Sequence, residues 1–287
     1  MIVEPAQRDD FVALMEETYG RAMTAAEFEW WFDRNPAGPR ILNEVRDADG
    51  SPLGVLGMSL FRLRGGLASY ALHAVTSPAA RGKGVFSAIN RQNEDEARAA
   101  GAVWTFGFPN PKSHRVLTRD HGWEDLGAPR VWVRVRRFPR RRGGFRIEPS
   151  CPPFERGLRA DAEGMVRDPV YLNWRYAESP RAYHRVDGED GAWVVVTHAL
   201  WQGYSSAIVC DSWAARPALL RRAVAAVDSD LAIALVNPGE ERAYLGAGFL
   251  PSPRTLRFIG KPLVADAPPI PKERRAWRIG FGDLDFF

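Results

Sequence analysis

The sequence predicts an α+β protein, a mixed and largely antiparallel sheet flanked by helices, present twice in one chain with the second copy degenerate. Three observations carry this expectation. Strand-like runs follow one another across short turns. One strand enters a helix through a glycine-containing turn. Two short patterns recur in the same order in both halves of the 287-residue chain.

Residues 9–20 and 24–33 read as helices. The second opens on Thr24-Ala25-Ala26-Glu27, a capping box in which side chain and backbone satisfy each other's donors, and it stops before Asn35-Pro36. Strands are expected at about 40–47, 54–64 and 68–75, with Asp49-Gly50 turning the first hairpin. A long helix over about 84–100 leads to a strand from Val103 to Phe108 and a short helix over about 111–120. A strand from Arg130 to Phe138 is expected to close this half.

The repeats set the domain plan. Trp30, Phe32 and Pro36 match Trp174, Tyr176 and Pro180 as Trp-x-aromatic-x-x-x-Pro. Asn110-Pro111 with Arg115 matches Asn237-Pro238 with Arg242, and glycine-aromatic pairs follow at Gly122-Trp123 and Gly248-Phe249. The expected division is a catalytic domain over 1–140, a linker rich in Arg, Pro and Gly over 141–153, a degenerate copy over 154–265, and a tail over 266–287. Trp277 to Phe287 is too aromatic for a disordered end and is expected to pack back.

Composition excludes several classes. Hydrophobic residues at 45% are enough for a sizeable core, and a net charge of +4 calls for no nucleic-acid partner. The basic run Arg134–Arg146 carries no nucleic-acid motif and reads as a strand edge and linker. Cys151 and Cys210 make no disulfide framework and show no metal spacing, so no metal is expected. The N-terminus shows no signal peptide and no run is long enough to span a bilayer, so a cytoplasmic protein with no membrane partner is expected.

The chemistry is concentrated in Leu72 to Ile89. A strand ends in Val75-Thr76-Ser77-Pro78, and Arg81-Gly82-Lys83-Gly84 leads into a helix. Glycines at 82 and 84 let successive N–H groups face one concavity, and the helix start adds its positive end. Arg81 and Lys83 add cations. Such a turn suits a diphosphate.

These residues resemble the GCN5-related N-acetyltransferase superfamily, whose signature runs from Val-x-x-Pro through Arg-Gly-x-Gly into a helix. Phe86 departs from the pattern, standing where the family often has Gly or Ala. Gly107-Phe108-Pro109-Asn110 with Ser113 and Gly122-Trp123 resembles the second cofactor segment. Similarity to a bacterial tandem-domain subgroup extends to Asp168–Tyr176 and to Gly282-Asp283-Leu284-Asp285. The resemblance implies a tandem acyl-CoA N-acyltransferase fold using acetyl-CoA or another acyl-CoA. The pantetheine would bond the backbone of Val75 and Ser77 in a gap between strands 68–75 and 103–108. Residues 82–86, including Val85 and Phe86, would cradle the pyrophosphate, with Asn110 and Ser113 bonding the cofactor or capping a helix.

The reaction implied is attack of a primary amine of a small metabolite on the thioester. The family's acid is a tyrosine four residues before the glycine-aromatic pair, and here that position is Thr118; Tyr244 holds it in the second copy. His73, on the face of Val75, is a candidate base or a packed histidine, and His114 and His121 border the expected thiol end. The cluster Trp30-Trp31-Phe32 reads as core. Two rival readings remain: a Fem-like transferase using aminoacyl-tRNA, and a non-catalytic acyl-CoA-binding protein.

Overall fold

The computed structural model describes residues 2–20, 23–136, 149–158 and 163–284. Most of the arginine-rich run and Asp285 therefore lie outside the described residues.

From the N-terminus come β1 (Val3–Pro5), α1 (Arg8–Tyr19), α2 (Ala25–Phe28) running into a π-helical turn (Glu29–Asp33), β2 (Ile41–Arg46), β3 (Pro52–Leu63) and β4 (Gly66–Thr76). Next are α3 (Val85–Ala99), β5 (Trp104–Gly107), α4 (Pro111–Asp120), β6 (Glu124–Gly127) and β7 (Arg130–Val135). The second half holds α5 (Pro169–Leu172) with its own π-helical turn (Asn173–Ala177), β8 (His184–Asp187), β9 (Trp193–Trp201) and β10 (Tyr204–Trp213). It ends with α6 (Pro217–Ala225), β11 (Leu231–Leu235), α7 (Glu241–Gly246), β12 (Leu250–Thr255) and β13 (Phe258–Pro262).

Two compact units result. The first is Met1–Leu126 with Arg257–Lys272, and the second is Gly127–Leu256 with Glu273–Phe287. The first sheet has the order β1-β2-β3-β4-β5-β13-β6, and the second β12-β7-β11-β10-β9-β8. Parallel pairing joins β4 with β5 in the first sheet and β10 with β11 in the second. The strand expected to close the first half, β7, instead pairs with β11 and β12 in the second sheet. In return β13 pairs antiparallel with β5 in the first. Each copy thus supplies its last strand to the other's sheet. An alternating strand reports which residues want burial, not which neighbour buries them.

The repeat shows in local structure too. In both copies a four-residue helix runs straight into a π-helical turn. The turns bury Trp30, Trp31 and Phe32 in one unit and Trp174 and Tyr176 in the other. The capping box forms as the sequence dictates: Glu27 N donates to Thr24 Oγ1 over 3.1 Å, and Thr24 N to Glu27 Oε2 over 3.0 Å. Such a cap contributes about 1 kcal/mol.

In the first unit α3 buries Val85, Ile89 and Ala97 against Ile41, Val45, Leu56, Met58 and Leu60. Gly54 permits that approach, since a Cβ there would lie 2.8 Å from Val85 Cγ1. In the second, α6 buries Leu219, Leu220, Ala223 and Val224 against β9, β10 and β11. Among the described residues no helix is long and apolar enough to cross a membrane, and no three His, Cys, Asp or Glu side chains gather to hold a metal ion.

Candidate active site

Strands β4 and β5 pair in register from Ala68 with Trp104 to Ala71 with Gly107, where the described pairing ends. Beyond that point β4 runs on to Thr76 while β5 gives way to α4. The two parallel strands therefore part, leaving β4 from Leu72 onward with β3 on one side. A bulge lies at the parting: Val55 faces Val75 and Gly57 faces Leu72, so two residues, His73 and Ala74, oppose Leu56 alone. His73 takes a left-handed φ of 50° there. A non-glycine residue in that region is held by its surroundings, and bulges re-aim the groups that follow them.

Backbone direction along this edge follows from two observations. Ser77 N donates to Leu53 O over 2.9 Å, and Val75 O lies 3.0 Å from where a Gly54 Cβ would sit. Both residues therefore turn toward β3. Strand alternation turns the backbone of Thr76 to the opposite edge, where the strands part, and the Ala74 carbonyl, across the peptide plane from the Val75 N–H, turns away from β3 as well. The Ser77 amide is thus spent inside the sheet, yet its buried Oγ has no hydrogen-bond partner among the described residues.

Past Ser77 the chain makes one 3₁₀ turn at Pro78–Ala80 and reaches the glycine turn. Gly82 and Gly84 both have φ of 77°, and a Cβ at either would meet nothing within 4 Å. Glycine is required here by backbone conformation, not by crowding. Gly84 caps α3, so the first amides of that helix have no intrahelical acceptor. Arg81 and Lys83 are exposed beside them, while Val85 is 1% exposed and anchors the helix. Two left-handed glycines, a helix start, two cations and the unsatisfied Ser77 hydroxyl fit an anionic group with polar atoms extending from it.

The other predicted residues separate into groups. Asn110 caps α4, its Oδ1 accepting from Lys112 N at 2.9 Å and Ser113 N at 3.0 Å, which is the capping alternative; Ser113 is half-buried. The Thr118 hydroxyl donates to His114 O within its own helix at 2.9 Å. His114 meets the Asp125 carboxylate through Nε2 at 3.0 Å, and Asp125 escaped the sequence reading. The His73 ring lies 5.8 Å from Phe11, 5.9 Å from Phe32 and 6.4 Å from Trp31, an aromatic setting. Phe86 is half-buried, packed against the cluster of Leu117, Trp123 and Ile259 and 6.5 Å from the His121 ring.

His121 belongs to a buried polar cluster that sequence reasoning missed. Asn90 Nδ2 donates to Glu94 Oε1 at 2.7 Å and approaches His121 Nδ1 at 3.3 Å; His121 Nε2 meets Ser87 Oγ at 3.0 Å. Glu94 also accepts from Trp123 Nε1 and pairs with Lys261 at 2.7 Å. With Nδ1 as acceptor, the ring proton sits on Nε2 and is given to Ser87 in the first turn of α3. Burial depresses the His121 pKa, with the Glu94 charge opposing the shift.

In the second unit β10 and β11 likewise pair from Ser206 with Leu231 to Val209 with Ala234, and β10 bulges between Val209 and Asp211. No glycine turn follows there: Trp213-Ala214-Ala215-Arg216 leads directly to α6. Tyr244 sits on α7, 2% exposed, its Oη 3.1 Å from Ser212 Oγ; burial pushes its pKa well up.

No family model matches the chain, and no curated protein matches it in sequence. Solved structures do. A GCN5-related N-acetyltransferase from Anabaena variabilis superposes with a TM-score of 0.60 at 10% identity, covering 92% of this chain and 73% of its own. The fold is that of the GCN5-related N-acetyltransferases. A second such protein, from Kribbella flavida, gives a TM-score of 0.58 at 16% identity over 93% of this chain and 73% of its own. Eis1 from Mycobacterium abscessus gives 0.57 at 11% identity over 92% and 74%. Coverage above nine-tenths of this chain means that the likeness takes in both units. Identities this low carry the fold and leave chemistry to the residues themselves.

Proposed function

We propose that the protein is an acyl-CoA-dependent N-acyltransferase that moves an acetyl or other short acyl group to a primary amine of a small metabolite in the cytoplasm. The observation that carries this reading is the parting of β4 and β5 directly ahead of the left-handed Gly82 and Gly84. A thioester arm laid along the parted edge would meet the outward backbone of Ala74 and Thr76, with its diphosphate at the amides of 82–86. The first copy is the catalytic one, since the second lacks the turn.

The reaction needs a neutral amine, a polarised thioester carbonyl and a proton for the departing thiolate. An outward amide of the bulged strand would polarise the carbonyl. His114 has the geometry of an oriented base: bonding Asp125 through Nε2–H leaves Nδ1 as acceptor. His73, enclosed by aromatic rings, would act through the bulge it shapes.

The test is calorimetric titration of acetyl-CoA into wild type and into a variant carrying Arg81→Ala and Gly84→Val. Wild type should bind one molecule per chain. The variant should lose at least about 100-fold in affinity, because a β-branched residue is strained at positive φ and a cation is gone. Equal affinity, with circular dichroism unchanged, would sink the assignment.

A further inference from the structure

The acetyltransferase fold normally sends a phenol to the thiol end from the helix after the second parted strand, and Thr118 stands there instead. An aliphatic hydroxyl is too weak an acid to serve a thiolate, and this one donates to the His114 carbonyl in the same helix. A phenol nevertheless reaches the parted edge from elsewhere. Tyr19, the last residue of α1, donates from Oη to the Ala74 carbonyl over 3.0 Å.

Three features make this contact more than a surface bond. Ala74 is in the β4 bulge, between His73 at positive φ and Val75, and its carbonyl points away from β3. The phenol oxygen therefore stands at the edge along which the thioester arm is placed. Next, α1 is anchored by packing: Phe11, Leu14 and Met15 are buried, and Phe11 packs edge-on against the rings of Phe28, Phe32 and His73. Tyr19 follows Met15 by four residues and so leaves the helix on the same side. Finally, Tyr19 is 55% exposed although its hydroxyl is bonded to the sheet, so a ligand can approach the ring.

We propose that Tyr19 is the proton donor to the leaving thiolate, supplied from α1 in place of the missing phenol on α4. The inference rests on the acyl-CoA reading above. In the step, the neutral amine nitrogen attacks the thioester carbonyl carbon, a C–N bond forms and the C–S bond breaks. The Tyr19 Oη proton turns from the Ala74 carbonyl to the sulfur, which takes it. The phenolate regains a proton from the nitrogen, which leaves with one hydrogen fewer as the amide. The products are a thiol and an amide, and no further reagent is consumed.

The test compares Tyr19→Phe with wild type and needs no knowledge of the acceptor. Affinities for coenzyme A and for its desulfo analogue are measured by calorimetry between about pH 7 and pH 9, a range over which a bound thiol stabilised by a donor ionises. Wild type should prefer coenzyme A increasingly as pH rises. The variant should lose roughly tenfold of that preference at the upper end, since a charge-assisted bond to sulfur is gone. The protein's own thiols stay protonated over this range, because burial pushes Cys151 to about 11 and Cys210 to about 12. An identical preference in both proteins, each binding coenzyme A, overturns the role of Tyr19 and leaves the acyl-CoA reading standing. Failure of wild type to bind coenzyme A at any pH overturns both. With a turned-over amine in hand, kcat should fall by about 100-fold while KM for acetyl-CoA stays put. An unchanged denaturation midpoint shows that the variant is folded.

Discussion

The two units part the same pair of strands and do different things with the parting. In the first, the outward backbone of Ala74 and Thr76 borders the gap, and a glycine turn stands at its far end. In the second, the chain's own tail lies there. Arg278 Nη2 bonds Ser212 O, Ile279 N donates to Asn237 Oδ1 at 2.8 Å, and Gly280 passes so close that a Cβ would come within 2.4 Å of Cys210 O. Gly282 is equally confined, since a Cβ there would be 1.9 Å from Tyr176 Oη. Glycine at these two positions lets a peptide occupy the place that corresponds to the parted edge of β4, where the thioester arm is proposed to lie in the first unit. The parting of the strands is thus a property of the fold, and what fills it decides the role.

A buried charge network latches the tail. Arg167, 3% exposed, bonds Asp211 through Nε at 2.6 Å and Asp283 through Nη2 at 2.8 Å. Tyr171 Oη donates to Asp283 Oδ1 at 3.0 Å, and Arg175 Nε to Gly282 O at 2.6 Å. The segments Asp168–Tyr176 and Gly282–Leu284, singled out separately in the sequence, are therefore brought together by the fold.

The sharpest way to break the comparison is Asp283→Ala. It leaves Arg167 with half its countercharge in a dry site, and about 3–5 kcal/mol of stability should be lost, read as a fall in the denaturant midpoint. Acetyl-CoA affinity should not move, since the tail belongs to the other unit. Wild-type stability in this variant would mean that the tail is not what closes the second gap.

A smaller effect is expected from Tyr244→Phe. Its hydroxyl is buried against Ser212 in the unit with no glycine turn, so the change should cost about 1 kcal/mol and leave turnover intact. A loss of turnover comparable to that of Tyr19→Phe would show that the second copy does chemistry.

The smallest effect concerns pH. Burial lowers the folded pKa of His121 in the first unit and of His198 in the second. The folded state then binds fewer protons than the unfolded chain below its ordinary value of about 6.5. The stability each group contributes is full above that pH and is lost as pH falls through the depressed folded value. Denaturant midpoints at about pH 7 and pH 5 should differ less in a His121→Gln variant than in wild type. An unchanged difference would remove His121 from the account.

Legibility divides along the range of the interaction. The strand, glycine turn and helix were readable because each step involves neighbours in sequence, and the Thr24 capping box is equally local. The aromatic cluster at 30–32 was recognised as core from its pattern. The exchange of β7 and β13 was not readable, because both are short strands that would pair acceptably in either sheet. Asn90 and Glu94 look like solvent-facing residues on α3; they are buried because His121, Trp123 and Lys261 arrive to partner them. Tyr19 gave no signal, lying 55 residues from the carbonyl it meets.

By itself, the sequence determined that a strand, a glycine turn and a helix follow one another in the first half with no such turn in the second, and that a threonine stands at 118 where Tyr244 stands in the second repeat. Turn geometry and hydroxyl chemistry are properties of a few adjacent residues. The tertiary structure decided which sheet receives each closing strand, that the tail fills the second gap, and that a phenol from α1 reaches the bulge of β4. Those outcomes depend on contacts between residues far apart in the chain, where the energy of packing, and not local preference, selects the partner.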